Sequence, residues 1–160
     1  MILYHGSNTI VQQPEILPNL RALDFGAGFY LTSNAKQAEQ WAKVVTKRRR
    51  SGSATLNLYQ FEPKQCAELN VLVFDGANGE WLDFVVQNRK SLPIERAYDL
   101  VIGPVANDAT LPVIDDYIVG VYTKDEAVKR LLPQNLTDQY AFLTPKSLAL
   151  LTFQQAVKYE

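Results

Sequence analysis

Two short segments of this 160-residue chain carry side chains whose type and spacing suit ligand chemistry. Leu3-Tyr4-His5-Gly6-Ser7 puts the single histidine at the end of an apolar run, against a glycine. A neutral imidazole offers one donor and one acceptor, and glycine lets a ligand come close to the backbone. The alternative is a histidine satisfied by a backbone group, with a role in the fold alone. Asp24-Phe25-Gly26-Ala27-Gly28-Phe29-Tyr30-Leu31-Thr32 sets two glycines before an aromatic strand. This is not the dinucleotide fingerprint, because the third glycine is missing and no strand precedes it. Either the chain bends tightly beside a ligand here, or an ordinary glycine turn enters a strand.

The elements that must position these residues follow from patterning. Met1 to His5 reads as a first strand, with a polar, Pro-containing loop from Gly6 to about Asp24. A helix is expected from Ser33 or Asn34, either of which can cap its first turn. Ala38, Trp41, Ala42 and Val45 recur at helical spacing on one face. Lys47-Arg48-Arg49-Arg50 offsets the negative end of the helix dipole, and Gly52 is expected to stop the helix. Leu56–Phe61, Leu69–Phe74 and Leu100–Ile102 read as strands, and Asn78–Arg89 as a helix with Trp81, Phe84 and Val85 inward. Thr123-Lys124-Asp125-Glu126 has the capping-box pattern and opens a helix to Leu132. Tyr140 and Phe142 suggest a strand, and Thr144-Pro145 a short helix. Strands and helices do not alternate in regular βαβ units, so the pattern favours α+β.

Composition narrows the classes. With 47% hydrophobic and 21% charged residues the chain matches an ordinary globular domain, and residues 1–160 read as one. No run approaches the roughly 20 apolar residues of a membrane span, and the N-terminus lacks a signal-peptide layout. No membrane partner and a cytoplasmic location are therefore expected. One cysteine, Cys66, excludes an internal disulfide, and one histidine excludes the usual clustered Cys/His zinc sets. No metal site is expected. The net charge of −1 gives no global attraction to nucleic acid.

His-Gly-Ser followed about 25 residues later by Gly-Phe-Tyr-Leu-Thr resembles the NAD+ pocket of the ADP-ribosyltransferases, in the diphtheria-toxin and poly(ADP-ribose) polymerase branch. The resemblance implies a split, mostly antiparallel sheet with flanking helices and NAD+ as co-substrate. It implies that His5 contacts the adenosine-side ribose and that the Gly6 backbone clasps the nicotinamide amide. Ser7 and Gly28 fall beside those positions. Tyr30 stacks on nicotinamide, and Trp41, 11 residues on, forms the opposite wall. Two aromatic faces suit a flat pyridinium cation, and the transition state is oxocarbenium-like, as in glycoside cleavage.

The family's third element is a glutamate on a late strand; its counterpart here is Gln139, in Asp138-Gln139-Tyr140-Ala141-Phe142. A carboxylate 4 Å from a unit positive charge contributes about 4 kcal/mol at an effective dielectric near 20. Losing half of that slows the step roughly 30-fold. The catalytic set implied is thus His5, Tyr30 and Gln139, suited to a single ADP-ribose transfer to a protein or nucleic-acid acceptor. An inactive NAD+-binding module is the alternative. On this basis Gln139→Glu is expected to raise NAD+ hydrolysis.

The likeness extends through Glu80–Phe84, Asn88-Arg89 and Tyr98–Asp108 to an uncharacterised bacterial branch with a Gln-Tyr third motif. Some members of that branch sit beside a small partner gene, as toxins beside antitoxins, which implies an antitoxin-like partner protein. It assigns no role to Asp83, Arg89 or Asp108. Asp108 either approaches the ligand or, with Asn107, caps a helix. Arg21 either meets the pyrophosphate or is solvated. The Lys47–Arg50 run either contacts a nucleic-acid backbone or serves the helix end and solubility.

Overall fold

The structure, a computed structural model, describes residues 1–16, 23–90 and 97–159. Its strands form two sheets. The first has the order β1 (Ile2–Ser7), β3 (Thr55–Gln60), β7 (Thr152–Lys158). The second has the order β2 (Phe29–Leu31), β6 (Asp138–Phe142), β5 (Leu100–Pro104), β4 (Val71–Val73). All pairs are antiparallel except β4 with β5. That pair is joined through α2 (Gly79–Arg89), the one βαβ unit among the described residues. The α+β expectation holds, with mostly antiparallel sheets.

A single antiparallel bridge, Tyr4 with Thr32, joins the two sheets edge to edge. The strands therefore run β7-β3-β1-β2-β6-β5-β4 as one sheet that is split between β1 and β2. Because side chains alternate along strands, Tyr4, Gly6, Thr32, Tyr30, Ala141 and Gln139 share one face. Leu3, His5, Phe29 and Leu31 share the other.

The second face curls onto itself over a core of Leu3, Phe29, Leu31, Tyr59, Phe61, Leu100 and Phe142. Its aromatic rings meet edge to face, as with Phe61 and Phe142 at 5.4 Å. The first face is covered by helices at its two ends. Over β1 lies α1 (Ala35–Arg49), through Ala38, Ala42 and Val45. Over β5 and β4 lie α2, α3 (Leu111–Ile118) and α4 (Lys124–Leu131), which bury Trp81, Leu82, Val85, Ile114, Ala127 and Leu131.

The caps follow sequence chemistry. Asn34 accepts from the Gln37 N–H at 3.0 Å and opens α1, while Ser33 turns instead to Asp138. At the other end Arg50 is the left-handed C-cap (φ 55°), and Gly52 turns the chain two residues later, also at positive φ (74°). Thr123 accepts from the Glu126 N–H at 3.2 Å, one half of the expected box. A full capping box forms instead at Thr144 and Ser147, opening α5 (Pro145–Leu148). Helix α3 and strand β7 are additions to the sequence reading.

Candidate functional site

In an antiparallel ladder the N–H and C=O of one residue point to the same neighbour, and the next residue's point the other way. Tyr4 exchanges both bonds with Thr32, at 2.8 and 2.9 Å. Gly6, two residues on, must therefore aim its N–H and C=O at β2, opposite Tyr30. The ladder does not continue to such a pair: Tyr4–Thr32 is an isolated bridge and β1 and β2 belong to separate sheets. Instead the His5 ring takes the Tyr30 carbonyl, with Nδ1 at 2.7 Å from the oxygen. The split in the sheet begins here, with polar backbone of Gly6 facing the gap.

That contact defines the histidine. The carbonyl can only accept, so Nδ1 carries the proton and Nε2 remains an acceptor. Burial lowers the His5 pKa from 6.5 to about 4; the Tyr30 carbonyl opposes the shift and Arg49 adds to it. His5 is neutral at pH 7. Its ring stacks on Phe29 at 4.1 Å, so it stands on the side of the sheet opposite the Tyr30 side chain.

Tyr30 and Gln139 do come together on one face, since Tyr30 pairs with Ala141 and Gln139 lies two residues along β6. The Tyr30 hydroxyl donates to the Gly26 carbonyl at 2.5 Å and accepts from the Phe25 N–H at 3.1 Å. Burial pushes its phenol far above the usual range, so it stays protonated and holds the 24–26 loop against β2.

Gln139 is buried, 8% exposed. Its Nε2 donates over 3.5 Å to Asp24 Oδ2 and to the Pro104 carbonyl. Both partners accept only, which fixes the amide with its N–H side toward them and Oε1 turned away. Asp24 is equally buried. Its Oδ1 pairs with Arg89 at 2.5 Å, and its Oδ2 also accepts from the Ala106 N–H at 3.3 Å. The Arg89 Nε is buried without a partner among the described residues. Sequence reasoning missed this triad, because Asp24, Arg89 and Gln139 come from three separate segments. The one available signal was an aspartate opening the glycine segment and an arginine closing α2.

Other expectations resolve differently. A Cβ on Gly6 would lie 2.1 Å from the Ala38 carbonyl oxygen and 2.7 Å from the Ala42 nitrogen, so glycine is required there by α1 rather than by a ligand. A Cβ on Gly28 would meet Leu143 at 2.6 Å and the Phe142 carbonyl at 2.8 Å. Ser7 is buried and accepts from the Thr9 N–H at 3.4 Å, shaping the loop after β1.

Trp41 does not join the apolar face of α1; it is 48% exposed, with Arg48 over its ring at 5.4 Å. At about 100° per residue, Trp41 and Arg48 fall on one flank of the helix and Lys43 and Thr46 on the other. The second flank lines a groove of about 350 Å³ with Lys47, Ala54 and Tyr159, beside β3 and β7. Trp41 is therefore on the flank toward β2, the side of the split.

Asp83 binds Lys124 at 2.6 Å and the Tyr117 hydroxyl at 3.0 Å, tying three helices together away from β6. Asn107 caps the turn before α3, accepting from Ala109 and Thr110 at 3.0 Å, and Asp108 is exposed beside it. Arg21 lies outside the described residues. Among the described residues no three His, Cys, Asp or Glu side chains cluster to hold a metal, and no helix is long and apolar enough to cross a membrane.

A family model matches residues 1–153, nearly the whole chain, and includes every residue of the site. The chain belongs to this family. Its description is "Protein of unknown function (DUF3990)". No match to the chain is found among curated proteins or solved structures. Within this DUF3990 domain, then, the split at Gly6 and the Asp24–Arg89–Gln139 triad stand on their own chemistry.

Proposed function

We propose that this DUF3990 protein is a mono-ADP-ribosyltransferase that uses NAD+ to modify a protein or nucleic-acid acceptor, on an ADP-ribosyltransferase-like fold. The observation that carries this reading is the split at Gly6. The β1–β2 ladder ends there beside Tyr30, with Gln139 on the same face and Trp41 on the flank of α1 toward β2. A carboxamide such as that of nicotinamide pairs with one N–H and one C=O, which is what Gly6 offers to the gap.

In the reaction the bond from ribose C1′ to the nicotinamide nitrogen breaks, and its electron pair leaves with nicotinamide. The acceptor's nucleophile forms the new bond to C1′ and loses its proton. Tyr30 and Trp41 hold the leaving ring between aromatic faces. His5, neutral and stacked on Phe29 behind the split, holds the Tyr30 carbonyl and reaches a ribose hydroxyl only through the split, with Nε2 as acceptor. Gln139 accepts from the second ribose through Oε1. An antitoxin-like partner controlling the toxic transfer belongs to the same reading.

A second reading, an NAD+-binding module without turnover, is favoured by one observation: the Gln139 N–H groups are already committed to Asp24 and Pro104.

Adenine-labelled NAD+ incubated with bacterial lysate tests the choice, with His5→Ala as control. Macromolecular label that depends on His5 is the expected result, and nuclease or protease treatment then names the acceptor class. Tight NAD+ binding with neither label nor released nicotinamide selects the second reading.

A further inference from the structure

We propose that Asp24 is a positioning residue that orients and polarises the Gln139 amide, so that the two side chains together do the work of one glutamate. This rests on the transferase reading above. Three observations carry it. Asp24 and Gln139 are both buried and meet at 3.5 Å, Oδ2 to Nε2. The contact polarises the amide, leaving Oε1 as the acceptor side with the Asp24 carboxylate, itself ion-paired with Arg89, behind it. Charge stabilisation does not require contact, only proximity in a site shielded from water.

Second, Arg89 holds the other carboxylate oxygen, Oδ1, at 2.5 Å, so Asp24 cannot turn away from Gln139 without breaking a half-buried ion pair. Third, three further segments converge on the carboxylate that the loop before β2 carries: the end of α2, the loop after β5 through the Ala106 N–H, and β6. That investment in one buried carboxylate exceeds what anchoring a loop needs, since Tyr30 already pins the adjacent Phe25 and Gly26.

The arrangement reverses the expectation for Gln139→Glu. A glutamate at that position faces the Asp24 carboxylate and the Pro104 carbonyl, both acceptors, with no proton to give. Two carboxylates in such proximity cannot both ionise freely. The substitution therefore impairs the site, and Asp24→Asn repairs it by restoring a donor opposite the new carboxylate.

The test is nicotinamide release by the full chain, as wild type, Asp24→Asn, Gln139→Glu and the double variant, over a range of pH. The expected result is a kcat loss of about 30-fold in each single variant, with KM for NAD+ little changed, and recovery to within a few-fold in the double variant. Gln139→Glu also acquires a new titration: its turnover falls as pH rises and the introduced carboxyl loses the proton it donates toward Asp24. Faster turnover by Gln139→Glu without that titration, or a double variant no better than Asp24→Asn, overturns the proposal.

A wild type that releases no nicotinamide overturns the transferase reading, and with it the catalytic role of Asp24. The pairing itself is then read from thermal melting, which needs no activity. A lowered Tm for Gln139→Glu that Asp24→Asn relieves supports the juxtaposition, and additive effects overturn it. Since Asp24→Asn weakens the bond to Arg89, Gln139→Glu, which leaves that ion pair in place, is the variant that decides if the other fails to fold.

Discussion

The two sides of strand β2 are built for different ends. On one side Phe29 and Leu31 enter a core closed by rings meeting edge to face, down to the fully buried Tyr59 and Phe142. On the other, Tyr30 faces a polar assembly of loop backbone at Phe25 and Gly26 and the side chains of Asp24, Arg89 and Gln139. Apolar contact is non-directional, whereas the polar side fixes orientations at the cost of burying charge. Apolar packing and directed polar contacts are thus carried by alternate residues of a three-residue strand.

Breaking the apolar side should have the largest effect on folding. Phe142→Ala removes a fully buried ring that packs on Phe61, and a loss of about 3–5 kcal/mol in urea unfolding is expected. A loss below about 1 kcal/mol would mean that this core can collapse around the gap.

The boundary between the two sides is His5, and pH sharpens the comparison there. Its pKa is near 4 in the folded protein and near 6.5 when unfolded, so the unfolded chain binds the proton more readily. Its contribution is complete above about pH 6.5 and is lost progressively as pH falls toward 4, amounting to at most about 3 kcal/mol. Urea midpoints for the wild type and His5→Gln should diverge least at low pH. Parallel curves would remove the histidine from the buried contact with Tyr30.

Next in size is Gly6→Ala, where the added methyl meets α1 backbone at 2.1 Å. Overpacking of about 1–3 kcal/mol is expected, measured by the same unfolding curves. Trp41→Ala should sit at the bottom of the scale, within about 0.5 kcal/mol, because the ring is half exposed. Its effect should appear in NAD+ affinity instead.

Much of this comparison was legible in the residues. The α+β class, α1, α2 and the strands at Leu56, Leu100 and Tyr140 follow from periodicity and caps. Helix α3 was missed although Pro112 stands in its first turn, because Leu111–Ile118 is a short apolar run without a side-chain cap. Strand β7 was missed because its outer residues Gln154 and Gln155 give an edge strand little apolar alternation. Glycine was the hardest to read: Gly6 has the same sequence signature whether a ligand or a helix presses on it. The Asp24–Arg89–Gln139 triad was out of reach for another reason. Its members are brought together by the parallel β4–β5 crossover and the β5–β6 and β2–β6 pairings, and no local pattern records such long-range meetings.

The central claim is that NAD+ lies on the face shared by Gly6, Tyr30 and Gln139, bounded by Trp41. Tryptophan fluorescence tests it directly, because Trp81 is fully buried and Trp41 is the exposed reporter. Titration with NAD+ should quench the wild type saturably, and Trp41→Phe should lose the quenching while calorimetry still records binding. No binding by the wild type, or quenching that survives Trp41→Phe, would contradict the assignment.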